Sequence, residues 1–118
     1  MTSSPAKPSI VILVNNNGMG KADTPLQHRL FQTYLTLLDE HDTLPAAICF
    51  YTEGVKLVVE GSPVLEQLHS LQQKGVHLVI CNTCLNYFNL SDKVQVGLVG
   101  GMTDIIEAQW QADKVITL

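Results

Sequence analysis

The sequence predicts an α/β domain of three layers, a five-stranded, mostly parallel sheet in strand order 2-1-3-4-5 with helices on both faces. Three observations predict it. Short apolar runs alternate with longer segments of helical periodicity. The runs are apolar at successive positions, as in strands covered on both sides. No linker, low-complexity tract or internal repeat divides the chain.

The opening "MTSSPAKP" (residues 1–8) reads as a flexible tail, so the domain is placed at residues 9–118. "SIVILV" is the first strand, and "NNNGMGKAD" is the loop that leaves it. "TPLQHRLFQTYLTLLDEH" follows as a helix with Thr24 as N-cap and Pro25 in the first helical position; its apolar stripe is Leu26, Leu30, Tyr34, Leu37 and Leu38. "AAICFY" is the second strand. It leads through "TEGVKLVVEG" to a helix that starts at Ser62-Pro63, carries Val64, Leu65, Leu68 and Leu71, and stops at Gly75. "VHLVI" (Val76 to Ile80) is the third strand, "VQVGLVGG" the fourth apolar run, "MTDIIEAQW" a short amphipathic helix and "KVITL" the last strand. Strand and helix alternate throughout, which implies right-handed crossovers and parallel pairing.

The 118 residues suffice for one core without cross-links. Hydrophobic residues make up 46% and charged ones 15%, against about 25% charged in an average soluble domain. Apolar runs end well short of the roughly 20 residues of a membrane span, so the sparse charge predicts a homo-oligomeric interface and no membrane contact. Seven basic against eleven acidic residues give a net charge of -4, and no basic stripe tracks phosphates, which argues against nucleic acid. The first residues show no charged start followed by a long apolar stretch, and three cysteines make an odd set. Both features point to reduced thiols in the cytoplasm.

Chemistry is expected at the carboxyl ends of the strands. In the order 2-1-3-4-5 the first and third strands are neighbours, so "NNNGMG" and "CNTC" converge on one crevice. Cys81 and Cys84 are the candidate catalytic residues: Cys81 ends the third strand, and Cys84 falls in the first turn of a short helix capped by Asn82 or Thr83, where N–H groups lower a thiol pKa. The bland alternative is that both thiols pack. Asn15, Asn16, Asn17, Gly18 and Met19 are candidate site-lining residues, although the same loop also reads as a plain turn whose asparagines cap backbone groups. Its glycines match no nucleotide-binding signature, and no cofactor is expected. Glu53 ends the second strand as a proton acceptor or a solvated carboxylate; Tyr87 and Phe88 border the motif, where packing of the short helix competes with ligand contact. Cys49 reads as core, and His28, His41 and His69 as solvated or capping. A metal site would need ligands beyond the two cysteines, and His77 lies in a strand expected to be buried; no metal is expected.

The segments "NNNGMG", "FYTEGVKLVVEGSPVLEQLHSLQQKGVHLVICNTCLNYFNL" and "ADKVITL" carry a resemblance. The chain resembles the DsrE-like sulfur-relay family, and most of all the C-terminal DsrE-like domain of YedF-type selenium-metabolism proteins. The resemblance implies a flavodoxin-like domain assembled as trimers or hexamers. It implies a carrier in which Cys81 holds sulfane sulfur as a persulfide and Cys84 assists. The residues present include no counterpart of the TusA-like domain of YedF-type proteins, so donor and acceptor are expected on other chains, such as a TusA-like protein or a cysteine desulfurase. The alternative is a non-enzymatic oligomeric scaffold or small-ligand module with a redox-sensitive C-x-x-C.

Overall fold

A computed structural model describes residues 8–118. The expected flexible tail, residues 1–8, falls outside the described residues except for Pro8, which is exposed. The elements are β1 (Ile10–Val14), α1 (Thr24–Glu40), β2 (Ala47–Phe50), α2 (Leu65–Gln73), β3 (His77–Cys81), α3 (Asn82–Tyr87), β4 (Leu98–Gly100), α4 (Met102–Gln111) and β5 (Lys114–Thr117), with a 3₁₀ turn, Thr52–Leu57, after β2. The expected α/β class is what the structure shows: five strands, every pair parallel, with helices on both faces.

The strands lie in the order β4-β3-β2-β1-β5. In terms of neighbours this departs from 2-1-3-4-5: β1 pairs with β2 and β5, and β3 pairs with β2 and β4. The cause is the placement of the helices. Helices α1 and α2 pack against each other on one face, so successive right-handed crossovers step in one direction from β1 to β2 to β3. Helix α4 packs on β3 and β4 and meets the other face, where Ala108 shares a groove with Val11, Ala47 and Val79. A crossover on the opposite face runs back across the sheet and delivers β5 to the free edge of β1.

Alternation along the strands sends Ile12, Val14, Ile48, Phe50, Leu78 and Ile80 toward α1 and α2, where they meet Phe31, Leu35, Leu68 and Leu71. Each of these side chains is at most 2% exposed, and burying one contributes about 1.5–3 kcal/mol. The buried stripe of α1 is Gln27, Phe31 and Leu35, with Tyr34 and Leu38 at its margin. Leu26, Leu30 and Leu37, expected in that stripe, are 46–49% exposed. The helix is apolar on two sides, and periodicity alone favoured the leucines over the face that carries Phe31.

Local signals behaved unevenly. Asp23, not Thr24, occupies the N-cap of α1, and Pro25 sits in its first turn. Val64, not Ser62, is the N-cap of α2; Ser62, three residues ahead of the helix, accepts the Val64 N–H at 3.2 Å, and Gly75, at φ 103°, ends the segment as expected. His77 is exposed at the start of β3 instead of buried. His41 caps the C-terminus of α1. Among the described residues no helix is long and apolar enough to cross a membrane.

Candidate functional site

Cys81 closes β3 and is itself the N-cap residue of α3, the position expected for Asn82 or Thr83. It is 1% exposed. Cys84 lies in the first turn of α3, as expected, and is only partly buried. Its sulfur accepts a hydrogen bond from the backbone N–H of Thr52, Sγ to N 3.0 Å. The donor therefore comes from the end of β2 rather than from α3. All three cysteines are free thiols, and Cys49 is fully buried in the core, with its thiol pushed up to about 11 by burial. Burial also raises the Cys84 thiol; the neighbouring Cys81 thiol adds to the rise, and the Thr52 N–H opposes it. The lowering expected from a helix N-terminus is thus outweighed by desolvation.

Thr52 holds this arrangement in an unusual backbone state. Its φ is 46°, in the left-handed region that β-branched residues rarely enter. Its hydroxyl donates to the Asn15 carbonyl at 2.7 Å and lies equally near the Tyr51 carbonyl. The Asn15 amide also reaches the Tyr51 hydroxyl, 3.5 Å away. The end of β1 is thereby linked to Cys84 through the end of β2. Gly54 seats the turn: a Cβ there would stand 2.1 Å from the Val14 carbonyl oxygen. Val55, Leu57 and Val58 are completely buried behind it.

A pocket of about 280 Å³ opens over Cys84, lined by Thr52, Glu53, Thr83, Cys84, Tyr87 and Phe88. Its surface is almost wholly apolar. Glu53 is ion-paired with Lys56, and the Lys56 ammonium lies 4.7 Å from the centre of the Phe88 ring. Tyr87 and Phe88 meet edge to face with centroids 5.2 Å apart.

The structure thus gathers Cys84, Glu53, Thr83 and Tyr87 from the expected residues, with Cys81 buried beside them and Asn82 exposed next to it. The "NNNGMG" loop does not line this pocket. With β2 between β1 and β3, only Asn15 reaches it, through Thr52. Asn17 pairs with His28, 3.2 Å apart; Met19 donates its N–H to the Gln27 carbonyl, and the Gln27 amide donates to the Gly20 carbonyl at 2.7 Å. Gly18, at φ 136°, lies so close to Gln27 that a Cβ would come within 2.5 Å of its backbone. Asn16 takes part in none of these contacts. The loop is a tightly fitted start to α1, in keeping with its reading as a turn. The sequence places Thr52 with Tyr51 and Glu53 at the functional edge of the second strand but gives no sign of its bond to Cys84, and nothing in it marks Lys56 or Gln27. Among the described residues no group of three or more His, Cys, Asp or Glu is arranged to hold a metal ion.

Residues 9–118 match the family model described as the DsrE/DsrF-like family. The chain belongs to that family. The match spans the domain from β1 to its last residue, and the DsrE/DsrF-like family is associated with sulfur relay. Solved structures agree on the fold. The YchN protein from E. coli superposes with a TM-score of 0.72 at 20% identity over 95% of this chain and 100% of that one. MTH1491 from Methanobacterium thermoautotrophicum, a protein of unknown function, gives 0.70 at 16% identity over 95% and 100%. BT1422 from Bacteroides thetaiotaomicron, a conserved protein of unknown function, gives 0.67 at 14% identity over 93% and 95%. No curated protein matches the sequence.

Proposed function

We propose that this DsrE/DsrF-like protein is a small sulfur carrier that holds sulfane sulfur, or its selenium analogue, as a persulfide on Cys84. One observation carries the reading: of the two thiols in the motif, Cys84 faces a pocket and receives a backbone N–H, while Cys81 lies buried at its side. This exchanges the roles that the resemblance implied for the pair. The Cys84 thiolate attacks the outer sulfur of a donor persulfide, the donor S–S bond breaks, and the donor leaves as a thiolate. An acceptor thiol then takes the outer sulfur and restores Cys84. Alternatively, Cys81 attacks the inner sulfur, forming a Cys81–Cys84 disulfide and releasing hydrosulfide; a cellular dithiol reduces the disulfide. The Thr52 N–H supports the anionic sulfur as a fixed donor.

Intact mass after incubation with a persulfide donor tests the reading and is expected to show one added sulfur. Its rate should climb with pH, about tenfold per unit near neutrality, and should not level off by about pH 8.5, the ordinary thiol value, because burial raises Cys84. A plateau below neutrality would contradict the direction of that shift. The burial of Cys81 also favours a second reading, an oligomeric scaffold or ligand-binding module whose cysteines pack. Native thiol titration separates the two: a single fast thiol is expected for a carrier, and none before denaturation for a scaffold.

The donor and acceptor are proposed to be other proteins, a TusA-like carrier or a cysteine desulfurase among them, in the reducing cytoplasm. Self-association into trimers or hexamers is proposed through two uncovered apolar stripes: Leu26, Leu30 and Leu37 on α1, and Met102, Ile106 and Trp110 on α4. Trp110 is 84% exposed in the single chain. Ile106→Glu is expected to shift the sedimentation coefficient of the assembly to that of a monomer. An unchanged coefficient for Ile106→Glu and for Leu30→Glu would remove both stripes from the interface.

A further inference from the structure

We infer that the Cys84 pocket selects persulfides carried on an apolar group, R–S–SH, over the dianionic sulfane sulfur donor thiosulfate. The inference rests on the carrier reading and adds the substrate class. No Lys, Arg or His lines the pocket, and the polar groups of Thr52 and Glu53 in its wall are engaged elsewhere. The Thr52 hydroxyl is turned to the Asn15 and Tyr51 carbonyls, and the Thr52 N–H is on Cys84. The Glu53 carboxylate and the Lys56 ammonium neutralise each other, and Lys56 also rests over Phe88. What remains open to a ligand is the Tyr87–Phe88 aromatic pair, the neutral hydroxyls of Thr83 and Tyr87, the Cys84 sulfur and apolar surface.

Thiosulfate brings two negative charges into this site, whose lining among the described residues holds no cationic side chain, in a chain whose own net charge is -4. Removing such an anion from water without a partner is strongly unfavourable. An alkyl or aryl hydropersulfide, R–S–SH, carries its sulfur on a group that fits the aromatic wall. The Cys84 thiolate attacks the terminal sulfur; the Cys84 S–S bond forms, the donor S–S bond breaks, R–S⁻ departs and takes a proton from water, and the transferred sulfur keeps its oxidation level. A pocket that accepts thiosulfate must instead stabilise the departing sulfite, and no cationic residue lines this one.

The test compares Cys84 loading, followed by intact mass, for an alkyl hydropersulfide generated in solution and for thiosulfate, each rate divided by that of a small reference thiol. The normalised alkyl rate is expected to exceed the thiosulfate rate by at least about tenfold, the scale of an uncompensated charge at a partly exposed site. In Glu53→Gln, Lys56 loses its counter-ion and becomes available to an anion, so the preference should fall by at least about threefold. The Glu53 side chain is 47% exposed, which makes the substitution compatible with folding. A wild-type ratio near one, or a preference that Glu53→Gln leaves unchanged, overturns the inference and leaves the carrier reading intact. No adduct with either donor removes the carrier reading and this inference with it.

Discussion

Cys84→Ser is expected to slow sulfur loading by more than about 100-fold, because the attacking species is a thiolate and neither remaining cysteine reaches solvent. Cys81 is 1% exposed and Cys49 is wholly buried. Cys81→Ser is expected to load at a rate close to wild type but to hold its adduct longer, since the thiol that attacks the inner sulfur is gone. Mass spectra taken during loading, and again after addition of a small acceptor thiol, resolve the two effects. The reverse pattern, with the adduct lost in Cys81→Ser and kept in Cys84→Ser, would restore the roles implied by the resemblance. It would also mean that Cys81 becomes exposed during turnover.

Gly54→Ala is expected to lower stability by about 3 kcal/mol or more, the upper range for overpacking a rigid interior, and the melting temperature by roughly 10 °C. The clash would be with main chain: a Cβ at this position meets the Val14 carbonyl oxygen at 2.1 Å and its carbon at 2.8 Å. Neither a rotamer change nor a small side-chain shift relieves it, so the 3₁₀ turn must lift away from β1. The turn begins at Thr52, whose N–H lies on the Cys84 sulfur. Loading by the folded fraction should therefore fall as well. Urea unfolding read by far-ultraviolet circular dichroism measures the first effect; an unchanged midpoint would show that the turn is not seated on Val14.

Much of this molecule was legible as a string of elements. The β-branched run at Ile10–Val14 and the apolar run at Ala47–Phe50 announce buried strands, and every expected strand and major helix is present. The turn at Thr52–Leu57 was not legible, because its apolar residues follow neither a helical nor a strand period and are buried through their fit against α3, β2 and β3. The stripe of α1 was misplaced for a related reason: leucines on two faces satisfy the same periodicity, and the sheet accepted the face with Phe31.

The sequence by itself determined the α/β class, the parallel sheet, the place of the C-x-x-C at the end of β3 and the burial of Cys49, because each follows from local pattern and chain order. Only the tertiary structure decided strand neighbours, since apolar strands record that they are covered but not by which partners. With β2 between β1 and β3, the asparagine loop is held on α1, and Thr52 comes to Cys84 instead. The difference between the two thiols was also decided there. Three residues of spacing put Cys81 and Cys84 on the same short stretch, but the side of that stretch that faces the core is set by packing, and it buries one sulfur while opening a pocket over the other.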